Sequence, residues 1–215
     1  VSMAEFLRRE VEARTSQTRG SGEAQARGAR LRLLDVGCDQ GRLILFCPPN
    51  GVDFFGIDVS RSRMETARQR GYAALVRQDL SDSLPFRSGA FDIVVCSHVL
   101  EHFAHPEPMM AEVERVLKPN GFLIVGVPIT TWFTRLLRTH LVPLLNSRKR
   151  ADILESQHGH STFFTVRSLR RLLGHFAIQD IRGFRFFSSR HLPLENWRWF
   201  YRLNTAWGRL CPRMS

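Results

Sequence analysis

The segment from Leu33 to Gly41 reads Leu-Leu-Asp-Val-Gly-Cys-Asp-Gln-Gly, an apolar run that ends in a turn holding two glycines. A buried strand that runs into a glycine turn lets backbone come close to a ligand where a Cβ would clash. The next apolar run ends in Phe-Phe-Gly-Ile-Asp-Val-Ser. Its Asp58 lies roughly 20 residues beyond Gly37, the distance at which nucleotide-binding α/β folds hold ribose hydroxyls with an acid. A carboxylate suits that task because it accepts two hydrogen bonds side by side. Asp58 is equally able to cap the helix that follows, and the two roles are compatible. Histidines supply the groups that titrate near neutral pH, and His98, His102, His158 and His160 are the candidate bases. Cys38, Cys47, Cys96 and Cys211 have neither a paired spacing nor a metal-ligand spacing, so no metal site is expected.

These residues need a scaffold that sets strand ends side by side. Short apolar runs at Leu31–Val36, Val52–Ile57, Ala73–Val76, Phe91–Cys96 and Phe122–Val127 are bounded by Gly, Pro, Asp or Ser, as buried parallel strands are. Helical stretches alternate with them. Ser60 is placed to cap Arg61–Arg70, and Gly71 to end it. Pro108–Leu117 puts Met109, Val113, Val116 and Leu117 on one face, with Pro119-Asn120-Gly121 as a closing turn. Ser168–Phe176 is a further amphipathic helix that leads into an extended Ala177–Phe187. The alternation predicts an α/β, Rossmann-like doubly wound sheet, mainly parallel, with helices on both faces. Residues 1–30 read as a leader with one or two amphipathic turns at Phe6, Leu7 and Val11 followed by a polar linker.

Four segments carry a resemblance: Leu33–Gly41, Phe54–Ser60, Val76–Phe103 (Val-Arg-Gln-Asp-Leu through Ser-His-Val-Leu-Glu-His-Phe) and Met109–Pro128. In order and spacing they resemble the class I S-adenosylmethionine-dependent methyltransferases, over roughly residues 31–130. The resemblance extends to the small-molecule and lipid-directed members, among them the ubiquinone-pathway O-methyltransferases. It implies that Asp35, Gly37, Asp39 and Gly41 form the methionine-binding loop and that Asp58, with Val59 beside it, holds the ribose. Asp79 and Leu80 would lie at the adenine, and Ser97 and His98 at the methyl end. Asp39 stands where the family's loop has its middle glycine. Its charge could face the cofactor's cation, or its side chain could narrow the pocket and leave a non-catalytic cofactor-binding or scaffold protein. His160 matches a position that precedes the amphipathic helix over the pocket in such members, and with His98 and His102 it is the expected catalytic set.

The charge pattern agrees with a sulfonium cofactor. Asp35, Asp39, Asp58 and Asp79 sit at expected strand ends and no Walker-type lysine accompanies them, which counts against a nucleoside triphosphate and against a pyrophosphate-bearing dinucleotide. Residues 1–120 hold equal numbers of acidic and basic side chains, so the whole net charge of +11 falls on residues 121–215. That asymmetry suits an anionic partner, or a plain solvated surface. Residues 131–165 are expected to shape the acceptor pocket, and residues 166–215 to add a helix, a strand and a basic aromatic tail. Trp132, Phe133, Leu136, Leu137 and Leu141 stand among Arg135, Arg138, Lys149 and Arg150. Trp197, Trp199, Tyr201 and Trp207 alternate with Arg198, Arg202 and Arg209 in the tail. Such mixtures suit an interfacial helix at an anionic membrane surface, and they also stack on single-stranded RNA.

The expectation is methyl transfer to a hydroxyl of a small or lipid-linked acceptor by a cytoplasmic protein peripheral to a membrane. An RNA methyltransferase is the alternative. The longest apolar stretch, Phe122–Ile129, is too short to span a bilayer. After Phe187 the sequence shows no clear strand, so the family's final antiparallel strand is expected to be missing.

Overall fold

A computed structural model describes residues 3–20, 30–47, 50–129 and 161–182 of the chain. The chain divides into two compact units, residues 1–127 and 128–215.

The first unit is built on five strands: β1 (Leu31–Val36), β2 (Val52–Asp58), β3 (Ala74–Arg77), β4 (Phe91–Ser97) and β5 (Leu117–Gly126). Every pairing is parallel, in the order β3-β2-β1-β4-β5. The chain therefore winds outward from β1 in both directions, and the direction reverses between β1 and β4. Leu33 and Leu34 point to opposite faces of β1, yet both are fully buried, as are Ile93 and Val94 of β4 to within 1%. Both faces of the sheet are covered, which is why these strands read as continuous apolar runs without alternation.

Among the described residues, helices accompany the strands at α1 (Met3–Gly20), α2 (Leu43–Phe46), α3 (Arg61–Gln69) and α4 (Glu107–Val116). Val11 of α1, Leu43 and Ile44 of α2, and Met64 and Ala67 of α3 join Leu31, Leu33, Phe54, Ile93 and Val95 in one apolar cluster. Met109, Met110, Val113 and Val116 of α4 are buried apart from that cluster.

Three local expectations are corrected. The amphipathic start of the chain continues as one helix to Gly20, because Val11 and Thr15 are buried and the Arg14 guanidinium lies 4.1 Å from the centre of the Phe122 ring. Ser60 occupies the cap position of α3, but its side chain makes no capping bond; Asp58 accepts from the Ser60 backbone N–H instead. Pro119-Asn120-Gly121 does not separate α4 from a strand starting at Phe122. β5 begins at Leu117, opposite Phe91, and these residues form an irregularity before Phe122 pairs with Ile93. Lys118 is thereby brought within 2.6 Å of Asp92.

In the second unit Ile129 and Phe164 form a parallel bridge, and α5 covers Val166–Leu172. Thr165 and Ser168 exchange the hydrogen bonds of a capping box at its start. Residues 177–182 follow without regular structure. The expected terminal-strand gap, residues 131–160 of the expected acceptor-pocket segment, and the basic tail lie outside the described residues. No helix among the described residues is long and apolar enough to cross a membrane.

Candidate functional site

In an open α/β sheet the ligand crevice lies outside the carboxyl ends of the strands, where the winding reverses. Here that point falls between β1 and β4, and their carboxyl ends lead into Gly37 and His98.

The turn after β1 depends on its glycines. Gly37 and Gly41 both have φ +69°, the left-handed region that a Cβ disfavours. A Cβ on Gly37 would stand 2.5 Å from Val99 Cγ2, and one on Gly41 within 2.9 Å of both Tyr72 and Ala67. Between them Asp39 also adopts a left-handed conformation, with φ +47°. Aspartate tolerates this backbone better than most residues, which accounts for its presence at a position suited to glycine. Its carboxylate pairs with Arg63 on α3 at 3.1 Å, with both side chains well exposed.

Asp58 ends β2 and anchors two turns at once. Oδ2 accepts from the Asp39 backbone N–H at 2.9 Å, and Oδ1 from the Ser60 N–H at 2.8 Å. Each oxygen keeps a lone-pair direction for a further donor, so the structural role leaves room for a ligand hydroxyl. Val59, the next residue, is 60% exposed and offers an apolar surface beside that carboxylate. Asp79 is exposed, and its Oδ1 accepts from the Ser81 N–H at 2.9 Å. That hydrogen bond holds its carboxyl below the usual range. Leu80 beside it is half-buried.

Asp35 is buried inside β1, where Tyr72 donates to its Oδ2 at 2.5 Å. Burial pushes the Asp35 carboxyl up to about 7, against the lowering effect of the tyrosine bond and with the help of nearby Asp58 and Asp39. Neither Tyr72 nor Arg63 stands out in the sequence. Tyr72 follows the glycine that ends α3, and only the fold brings it under Asp35. Gly56 is a further close contact without a motif: a Cβ there would meet Cys38 Sγ at 2.7 Å.

At the end of β4, Ser97 pairs with Gly126 and is half-buried, while His98 is exposed with φ +57°. His98 Nδ1 lies 3.1 Å from Glu101 Oε1. Leu100–His102 forms a 3-10 turn in which Glu101 is buried and His102 exposed. The hydrogen bond to Glu101 raises the His98 pKa, more than burial lowers it. Burial opposes ionisation of Glu101, but its bonds to His98 and to its own backbone hold the carboxyl below the usual range. Cys38 and Cys96 are buried thiols whose pKa values burial raises, which makes them poor nucleophiles. No cluster of metal-ligating side chains occurs among the described residues. His160 lies outside the described residues.

Residues 34–125 match the model of a family described as a methyltransferase domain. The matched span runs from β1 to β5 and contains both glycine positions, Asp58 and the His98–Glu101 pair. Residues 34–125 form a methyltransferase domain. The ubiquinone biosynthesis O-methyltransferase of Vibrio atlanticus is 23% identical over 70% of this chain and 64% of its own length. That of Methylococcus capsulatus is 29% identical over 65% of this chain and 60% of its own. The chain thus spans somewhat less than two thirds of these curated relatives. Among solved structures, the YcgJ protein of Bacillus subtilis has a TM-score of 0.56 at 22% identity, covering 91% of this chain and 77% of that one. An S-adenosylmethionine-dependent methyltransferase from Methanosarcina mazei has a TM-score of 0.57 at 24% identity, covering 75% and 86%. These similarities confirm the fold.

The residues present suit S-adenosylmethionine as the cofactor of this methyltransferase domain. Two left-handed glycines pack the turn against Val99, Tyr72 and Ala67, where a Cβ would clash. The surrounding donor set is acidic, as a ligand bearing a sulfonium and an ammonium requires.

Proposed function

We propose that this domain methylates a hydroxyl of a small or lipid-linked acceptor. When bound, S-adenosylmethionine supplies a methyl carbon on a positive sulfur, an electrophile that needs only an aligned nucleophile. Asp58 would hold the ribose, the turn from Gly37 to Gly41 the methionine portion, and Asp79 with Leu80 the adenine end. The observation that carries the hydroxyl reading is the exposed imidazole of His98 at the end of β4, backed by Glu101 at 3.1 Å. A hydroxyl acceptor must lose a proton as it is methylated, and an imidazole is suited to take it near neutral pH. His102 and His160 are further candidates for the same task.

The names of the O-methyltransferase relatives support an oxygen acceptor that is apolar or lipid-linked. The basic, aromatic-rich sequence after residue 120 supports contact with an anionic membrane surface from the cytoplasmic side. The same basic character favours RNA as the second reading.

Methyl transfer from tritiated S-adenosylmethionine to a chloroform–methanol extract of bacterial membranes, run beside total RNA, tests the reading. Label in the organic phase that resists mild base is expected, as for an ether. Label confined to RNA would replace this reading with the second.

A further inference from the structure

The turn after β4 combines two features that work against stability. The Glu101 side chain is 1% exposed. Burying an ionised carboxylate is costly unless several partners satisfy it. Yet Oε2 of Glu101 is buried and has no hydrogen-bond partner among the described residues, and Oε1 bonds only one side chain, His98. His98 in turn holds a left-handed backbone conformation, φ +57°, that is unfavourable for a residue with a Cβ. Besides its own backbone, the carboxylate bonds the imidazole of His98, whose ring it orients.

We propose that Glu101 is a positioning residue that fixes the ring and tautomer of His98 so that Nε2 receives the proton of the acceptor. This inference rests on the methyltransferase reading above and narrows its substrate class. An ionised carboxylate only accepts hydrogen bonds, so His98 Nδ1 is the donor to Oε1. In the neutral ring Nε2 is then the bare nitrogen, carried on a side chain that is 66% exposed. The matching acceptor is a hydroxyl that still holds its proton at neutral pH, such as a phenol or an enol, not a preformed carboxylate. The proton passes from that hydroxyl to Nε2 and on to solvent. The oxygen keeps its electron pair and bonds the methyl carbon with it, while the pair of the broken carbon–sulfur bond stays on sulfur.

Few other charges act on this pair. Glu101 is the charged group that acts on His98, and His102 acts on Glu101. On β5 the Gly126 carbonyl accepts from the His98 backbone N–H at 2.8 Å. Asp35 on β1 acts on neighbouring Cys96.

The test is a pH titration of the whole chain labelled with nitrogen-15 histidine, with His98 assigned by its loss in His98→Asn. In the parent, neutral His98 should carry its proton on Nδ1 and titrate above an ordinary histidine. In Glu101→Gln the titration should move to lower pH and the preference for Nδ1–H should weaken, with Glu101→Asp restoring part of both. An unchanged tautomer and titration in Glu101→Gln would overturn the proposal. If Glu101→Gln does not fold, His98→Asn decides, since asparagine tolerates the backbone but strands the carboxylate. Its Tm should fall, and a Tm equal to the parent's across pH 6–8 would overturn the coupling. S-adenosylhomocysteine titrated into the same samples keeps the two readings apart: failure to bind removes the methyltransferase reading and leaves the histidine result standing.

Discussion

The backbone N–H of Asp39 donates to Asp58 Oδ2 at 2.9 Å, which fastens the turn after β1 to the end of β2. The bond comes from the Asp39 main chain, so any residue except proline could supply it. The side chain at 39 is turned to Arg63 instead. An aspartate at this left-handed position therefore leaves the fastening intact.

Asp39→Gly should consequently change little. It relieves a left-handed non-glycine residue and loses an exposed ion pair worth about 0–1 kcal/mol. Stability is expected within about 1 kcal/mol of the parent, and affinity for S-adenosylhomocysteine within about threefold. Asp39→Ala keeps the N–H but not the tolerance of φ +47°, and should cost about 1 kcal/mol. Urea denaturation of both variants, with calorimetry on the first, checks this.

Two glycines of similar φ separate backbone strain from packing. Gly41 has φ +69° and its Cβ would crowd Tyr72 and Ala67 at 2.7–2.9 Å, whereas Gly89 has φ +62° with nothing within 4 Å. Gly89→Ala should cost about 1 kcal/mol from conformation alone. Gly41→Ala adds overpacking and should cost about 2–4 kcal/mol. Equal denaturation midpoints for the two variants would contradict the close approach of α3 to the turn.

Asp35 gives the fold a pH dependence of calculable sign. Its carboxyl is raised to about 7 in the folded chain, chiefly by burial, from the ordinary carboxylate range when unfolded. The folded state thus binds the proton more tightly, and this contribution is full below about pH 4 and lost as pH rises through about 7. Asp35→Asn cannot ionise, so its Tm relative to the parent should rise from pH 4 to about pH 7 and then level off. A difference that stays flat over that range would show that Asp35 is not buried as described.

The sheet was legible in the sequence because its strands are buried on both faces and therefore appear as short apolar runs. Asp58, Gly37 and Gly41 were legible because their tasks depend on strand ends and positive φ, which leave fixed spacings. Contacts made across the fold left no such trace. Tyr72 meets Asp35 only once α3 is laid against β1, and Arg63 meets Asp39 in the same way. The pairing of His98 with Glu101 had a local signal in its three-residue spacing, but a turn start would show the same spacing. Pro119-Asn120-Gly121 misled because turn residues also serve an irregular strand. Asp79 is expected at the adenine from the resemblance, and its bond to Ser81 makes a local turn that leaves that contact open.

The central claim is that the carboxylate of Asp58 and the glycine turn beside it form an S-adenosylmethionine site. Calorimetric titration with S-adenosylhomocysteine, comparing the parent with Asp58→Ala, tests it most directly, with a thermal melt showing that the variant is folded. The account predicts one site per chain in the parent and an affinity at least about tenfold weaker in the folded variant, the loss of two charge-assisted hydrogen bonds. A parent that does not bind, or a variant that binds equally well, would contradict it.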